Sequence, residues 1–560
     1  MIMSYSSDNN ENRHGSLIVY AFSLLSAKIS EGAERSAICR ALDTPGSVDR
    51  ALGSGLFAGM VNKTDVYGRV LRPAKSFFSR LLERSAAINA LRKAIDLLLR
   101  KPLHTFGFFL FFLGLLGGGV TVFEKLGFLS VASGAADLML CALMVVFSLP
   151  LILSRRKLAS VFEGSSFFRA IFQGRLGFEM QKLRRGDRGS SDIFLVLLLD
   201  IILAAISVFV PMTRIMLFLA WLCVFLFLIC NPEAGMLLCA VLIPLVDSGT
   251  LGALMLVTAT GYLIKVLMGK RTIKLSAIDI FVILYFVYRA ILLMLGSGGS
   301  EQVFAIISYF TARNLLRSSD LHSRYISCIS LGISVAAAIE LIRYLLSLPF
   351  FSGRIVFDIP PTYSPDALGI YFACAIPLTL TCMLGNSDKR DRVYGFVSFA
   401  LSIACLVLIF DSSIWVYAAA FTALFILVAF RRRLTVLITS AFALPLIYTL
   451  GEIFSKHTLQ KGSAFGAITA ESGLAGALGF AAILVILTLS IPSSLRISRQ
   501  SSLRYSMCGY ATVAFVLPVA ALFVSPSGLL GVQMLFWMTL GTFVSCEKML
   551  ERTAIDDENQ

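Results

Sequence analysis

From Phe106 to its C-terminus the chain is a near-continuous succession of apolar runs long enough to cross a bilayer, and its basic residues fall mainly in every second connection. A run near twenty residues matches a hydrocarbon core of roughly 30 Å at a helical rise of about 1.5 Å per residue. Lipid offers the backbone no hydrogen-bond partner, so only helices or closed barrels span it. None of the runs alternates apolar and polar residues with the period of two that a barrel strand requires, so helices are expected. The implied fold class is all-α, a polytopic integral membrane bundle of about 14–16 transmembrane helices.

About sixteen runs can be delimited by length, at 106–122, 135–153, 193–210, 215–230, 234–246, 251–268, 277–295, 303–316, 325–346, 368–384, 393–410, 414–430, 434–450, 465–489, 507–524 and 529–545. The 234–246 run is short and 303–316 carries Arg313, which marks both as candidates for a re-entrant or interfacial helix. With the N-terminus inside, the cytoplasmic connections hold Arg155, Arg156, Lys157, Arg184 and Arg185, then Lys270, Arg271 and Lys274, then Arg317 and Arg324, then Lys389, Arg390 and Arg392, then 431–433, then 492–504. Only the tight turn at 231–233 lacks a basic residue on that side. Lys and Arg accumulate on the cytoplasmic face, so this alternation places both termini in the cytoplasm.

Composition agrees. Hydrophobic residues make up 57% of the 560 and charged residues 15%, where a soluble domain carries about a quarter charged. The net charge of +15 follows from the same membrane asymmetry, so a nucleic-acid partner is not implied. Cysteines such as Cys141, Cys223, Cys230, Cys374 and Cys405 sit singly inside apolar runs, without metal-ligand spacing. They read as small hydrophobes, and no metal or cofactor is expected.

The first hundred residues differ. No cleavable signal is evident around 17–27. Leu81, Leu82, Ile88, Leu91, Ile95 and Leu98 recur at helical spacing among Arg80, Arg84, Arg92, Lys93, Arg100 and Lys101. That pattern fits a basic helix lying on the anionic cytoplasmic leaflet. The expected organisation is a cytoplasmic segment at 1–104, a membrane domain at 105–546 and an acidic cytoplasmic tail at 547–560.

Two outer loops exceed simple turns, at 349–367 and 451–464. The first carries Arg354, Asp358 and Asp366 and is stiffened by Pro360 and Pro361; the second carries Lys456, His457 and Lys461 and leads into a run containing Glu471. Arg and Lys at an outer membrane surface are suited to the phosphate oxygens of a lipid-linked pyrophosphate. Asp200, Arg289, Glu340 and Arg343 lie inside apolar runs, where each charge costs about 2.5–3.5 kcal/mol at a bilayer centre and must face protein or water. Glu340 and Arg343 are spaced to pair on one helical face. Arg343 also falls near the outer end of its run, beside the Arg354 loop.

The order of segments resembles the O-antigen ligase and polymerase-like family of bacterial membrane glycosyltransferases. Three landmarks carry the resemblance: Ser364, Pro365, Asp366, Ala367 and Leu368 followed by Ile376, Pro377 and Leu378; then Asp411, Ser412, Ser413, Ile414 and Trp415; then Gly462, Ser463, Ala464, Phe465 and Gly466 with Glu471, Gly473 and Gly476. Asn231, Pro232 and Gly235 look like an early landmark of the same layout, which spans 231–489. The resemblance implies an undecaprenyl-pyrophosphate-linked glycan as donor, a glycan or lipid as acceptor, and transfer at the outer face of the cytoplasmic membrane without metal or nucleotide sugar. Family members hold an arginine and a histidine where this chain has Ser412 and Gly462. The implied catalytic residues are therefore His457 and Arg354, with Arg343, Lys456, Lys461, Asp366 and Glu471 binding substrate. A scaffold that keeps the fold without the chemistry, and a lipid-oligosaccharide flippase or secondary transporter, are the competing expectations.

Overall fold

Apolar side chains on every face of a helix leave its backbone bonded to itself and its surface matched to lipid or to other helices. The computed structural model describes residues 102–126, 135–154, 193–267, 277–296, 300–347, 365–385, 389–409, 422, 464–497, 503–520 and 530–558. Among them there is no strand, and fourteen helices follow one another. These are α1 (Leu103–Lys125), α2 (Ala135–Leu153), α3 (Ile193–Ser207), α4 (Met212–Cys230), α5 (Pro232–Leu242), α6 (Ser248–Leu267), α7 (Ala277–Met294), α8 (Ser300–Leu315), α9 (Ser319–Ser347), α10 (Pro365–Gly385), α11 (Lys389–Ile409), α12 (Ala464–Ile497), α13 (Arg504–Ala520) and α14 (Leu530–Glu558). The expected basic helix at 81–101 and the runs at 414–430 and 434–450 lie outside the described residues, apart from Thr422.

Six described helices are long and apolar enough to cross a membrane, at Leu103–Phe123, Ala136–Leu153, Met212–Ile229, Gly249–Val266, Ser319–Leu345 and Lys389–Leu408. Shorter apolar helices occur at Val196–Ser207, Pro232–Leu242, Gly369–Gly385 and Ser472–Thr488. The chain is a multi-pass helical membrane protein.

The described helices fall into two compact units, α1–α6 and α7–α14, with the 243–248 turn grouped with the second. In the first unit α1 packs on α2 and α3, around a core of Leu113, Cys141, Met144, Met212 and Ile215. Asp137, in the first turn of α2, is buried and its Oδ1 accepts the backbone N–H of Thr213 at 2.8 Å. It thereby caps α4, whose own N-cap residue Pro211 makes no side-chain cap bond. The short 234–246 run, a candidate re-entrant or interfacial helix by sequence, overlaps the 11-residue α5, about 16 Å long and roughly half a hydrocarbon core. Its Pro232, Gly235, Met236, Leu237 and Cys239 are buried, and Glu233 pairs with Lys265 of α6 at 2.9 Å.

In the second unit α8 lies against α14, α10 against α11 and α13, α9 against α11, and α7 against α12. Polar pairs between these helices join Asp279 with Arg313, Ser327 with Asp391, Thr381 with Tyr505, and Ser494 with Glu547. The α8 run, which the sequence offered as a re-entrant or interfacial helix, is buried along Ala305, Ile306, Ser308, Tyr309, Ala312 and Arg313. Its approach to α14 depends on Gly541, where a Cβ would stand 2.5 Å from the backbone oxygen of Tyr309 and 3.2 Å from the nitrogen of Arg313. Backbone atoms cannot rotate away as a side-chain tip does. Gly541→Ala is expected to cost about 1–3 kcal/mol of stability by overpacking, read as a lower thermal midpoint in detergent; an unchanged midpoint would contradict the close crossing.

Candidate functional site

The third sequence landmark proves to be a break in a helix. Within α12, Gly473 has φ 65° and ψ −174°, a backbone region open essentially to glycine alone. A helix interrupted there leaves carbonyls before the break and N–H groups after it without helical partners. One such carbonyl is satisfied across the bundle, because the Tyr288 hydroxyl of α7 donates to Ser472 O at 2.6 Å. Gly476 makes room for the capping geometry: a Cβ at 476 would stand 2.0 Å from Ser472 Oγ and 3.3 Å from Tyr288 Cε1. Gly473, Leu474 and Ala475 are exposed, whereas Ser472 and Gly476 on either side are buried.

Arg289 follows Tyr288 directly and is 1% exposed. The half-helix that starts after Gly473 presents its positive dipole end at the same crossing of α7 and α12. Below the break an aromatic floor of Tyr285, Phe480, Phe536 and Trp537 fills the contact between α7, α12 and α14, with ring centroids 5.1–6.1 Å apart. The break is thus backed by packed aromatic rings, carries the positive end of a helix dipole and is open at its face.

A second polar group lies about ten residues earlier on α7, roughly 15 Å along the helix. Asp279 Oδ1 accepts the Tyr309 hydroxyl at 2.5 Å, and its Oδ2 stands 3.5 Å from Arg313 Nη2. All three residues are buried. On α9 the buried His322 places Nδ1 3.5 Å from the Tyr510 hydroxyl of α13. Among the described residues no group of three metal-ligating side chains occurs.

The residues proposed from sequence are distributed unevenly over this frame. Arg354, Lys456, His457 and Lys461, with Ser412 and Gly462, lie outside the described residues. Asp366 is the second residue of α10, and Glu471 stands two residues before the break in α12. Arg343 pairs with Glu340 as their spacing suggests, its Nη1 donating to both carboxylate oxygens at 2.9 and 3.0 Å. Pro377 of the first landmark sits in the buried middle of α10, its carbonyl accepting the Thr381 hydroxyl at 2.8 Å.

Sequence reasoning passed over Asp279, Tyr309 and Tyr288. The only available signal for the first was an acidic residue opening an apolar run one helix before a run that ends in arginine. No family model, no curated protein and no solved structure matches the chain.

Proposed function

We propose that this protein is a divergent O-antigen ligase or polymerase-like transferase, handling undecaprenyl-pyrophosphate-linked glycans at the outer face of a bacterial cytoplasmic membrane, with both termini cytoplasmic. The observation that carries the reading is the break at Gly473. It lies inside the Glu471–Gly476 landmark and meets α7 at Tyr288, the residue before the buried Arg289, and a half-helix N-terminus favours phosphate oxygens. In this scheme an acceptor hydroxyl attacks the anomeric carbon of the donor and the bond from that carbon to the pyrophosphate oxygen breaks. The hydroxyl proton passes to His457, while Arg354, Lys456, Lys461 and Arg289 meet the charge on the departing lipid pyrophosphate. Arg343, Asp366 and Glu471 line the path of the glycan, and another glycan or a lipid is the acceptor.

Binding of undecaprenyl pyrophosphate to the protein in nanodiscs tests the assignment. Wild type is expected to bind, and Arg354→Ala to bind roughly tenfold or more weakly, as loss of a charge-assisted hydrogen bond of about 1.5–3 kcal/mol requires. His457→Ala is expected to keep binding and lose transfer. A wild-type protein that does not bind removes the transferase reading. A broken membrane helix is also what a transporter uses at its site, so lipid-oligosaccharide translocation in proteoliposomes, without transfer, would favour the flippase alternative.

A further inference from the structure

Asp200 sits on the inward stripe of α3 with Ala204 and Ser207 and is 0% exposed. Its neighbours Leu198, Leu199, Ile201 and Ile202 turn outward on an apolar helix. Leu203, three residues on, packs against the core of Leu113, Cys141, Met144, Met212 and Ile215. Among the described residues, neither carboxylate oxygen of Asp200 has a hydrogen-bond partner. A buried carboxylate can be neutralised by an ion pair, a metal ion or a proton.

Charged or imidazole side chains described on the elements packed against α3 are His104 on α1, Arg214 on α4 and Asp137 on α2. None supplies a bond to the Asp200 oxygens, and Asp137 is engaged with Thr213. Among the described residues no set of three metal-ligating side chains is assembled. A proton is what remains.

We propose that Asp200 is an intramembrane proton-binding site, held as a neutral carboxylic acid between α3 and the helices it packs on. The site is independent of the glycan reading. A neutral acid fits an apolar interface that would expel its charged form, and it can release the proton only when α3 moves and admits water or a cation.

Infrared spectra of the full-length protein in nanodiscs at neutral pH, wild type minus Asp200→Asn, read the protonation state directly. The expected result is the carbonyl band of a protonated carboxylic acid, present in wild type, absent from D200N, and unchanged when potassium replaces sodium. Carboxylate bands in its place, or a band that depends on sodium, overturn the proposal. Thermal unfolding gives a second reading: D200N is expected to be as stable as wild type, whereas a lowered midpoint would mean that a held negative charge had been lost.

Discussion

Gly473→Ala is expected to destabilise the protein by about 1–3 kcal/mol, the range for forcing a residue with a Cβ into a sparsely populated backbone region. The effect is purely conformational, because a Cβ at 473 would meet nothing within 4 Å. Alanine has two responses. It holds φ 65° and ψ −174° under strain, or it straightens α12 and draws Ser472 O away from the Tyr288 hydroxyl. Either lowers the thermal midpoint, and straightening also makes the change non-additive with Tyr288→Phe. Gly476→Ala is the steric counterpart, since its Cβ would collide with Ser472 Oγ. If G473A melts with wild type, alone and in combination with Y288F, the break is not a constrained feature of α12.

The second large effect concerns Asp279. Its side chain is 1% exposed and that of Arg313 7%, so removing one partner strands a charge away from water. Asp279→Leu is expected to cost about 3–5 kcal/mol. Arg313→Met should be similarly damaging alone. The double variant D279L/R313M is expected to recover much of the loss, because replacing a buried pair by apolar side chains is often neutral or stabilising. Tyr309→Phe should cost less, on the order of 1–3 kcal/mol, leaving one carboxylate oxygen without its donor. Thermal denaturation of the four variants in one detergent measures the coupling. Additive losses in D279L and R313M would show that the two charges do not act as a pair.

These two sites explain why part of the architecture was legible in advance and part was not. Leu103–Phe123 or Met212–Ile229 announces itself by length and hydropathy, because partition into lipid depends on the segment alone. The 234–246 run stood out as short for the same reason, and α5 covers Pro232–Leu242. The i, i+3 pair of Glu340 and Arg343 was legible because both members share one helix. By contrast, Arg313 only marked its run as a candidate re-entrant or interfacial helix, and the approach of α7 supplied its partner Asp279.

Sequence by itself determined that this chain is all-helical and multi-pass, because each apolar run must satisfy its own backbone in lipid. It also marked Asp200, Arg289, Arg313 and Glu471 as residues needing an account. Tertiary structure alone decided that Gly473 breaks α12 while Gly476 receives Ser472, that Tyr288 bonds the freed carbonyl, that Arg313 meets Asp279, and that Asp200 meets no hydrogen-bond partner among the described residues. The reason is that a glycine or a charge in an apolar run has the same local hydropathy whatever it faces, and what it faces is set by helices that are distant in the chain.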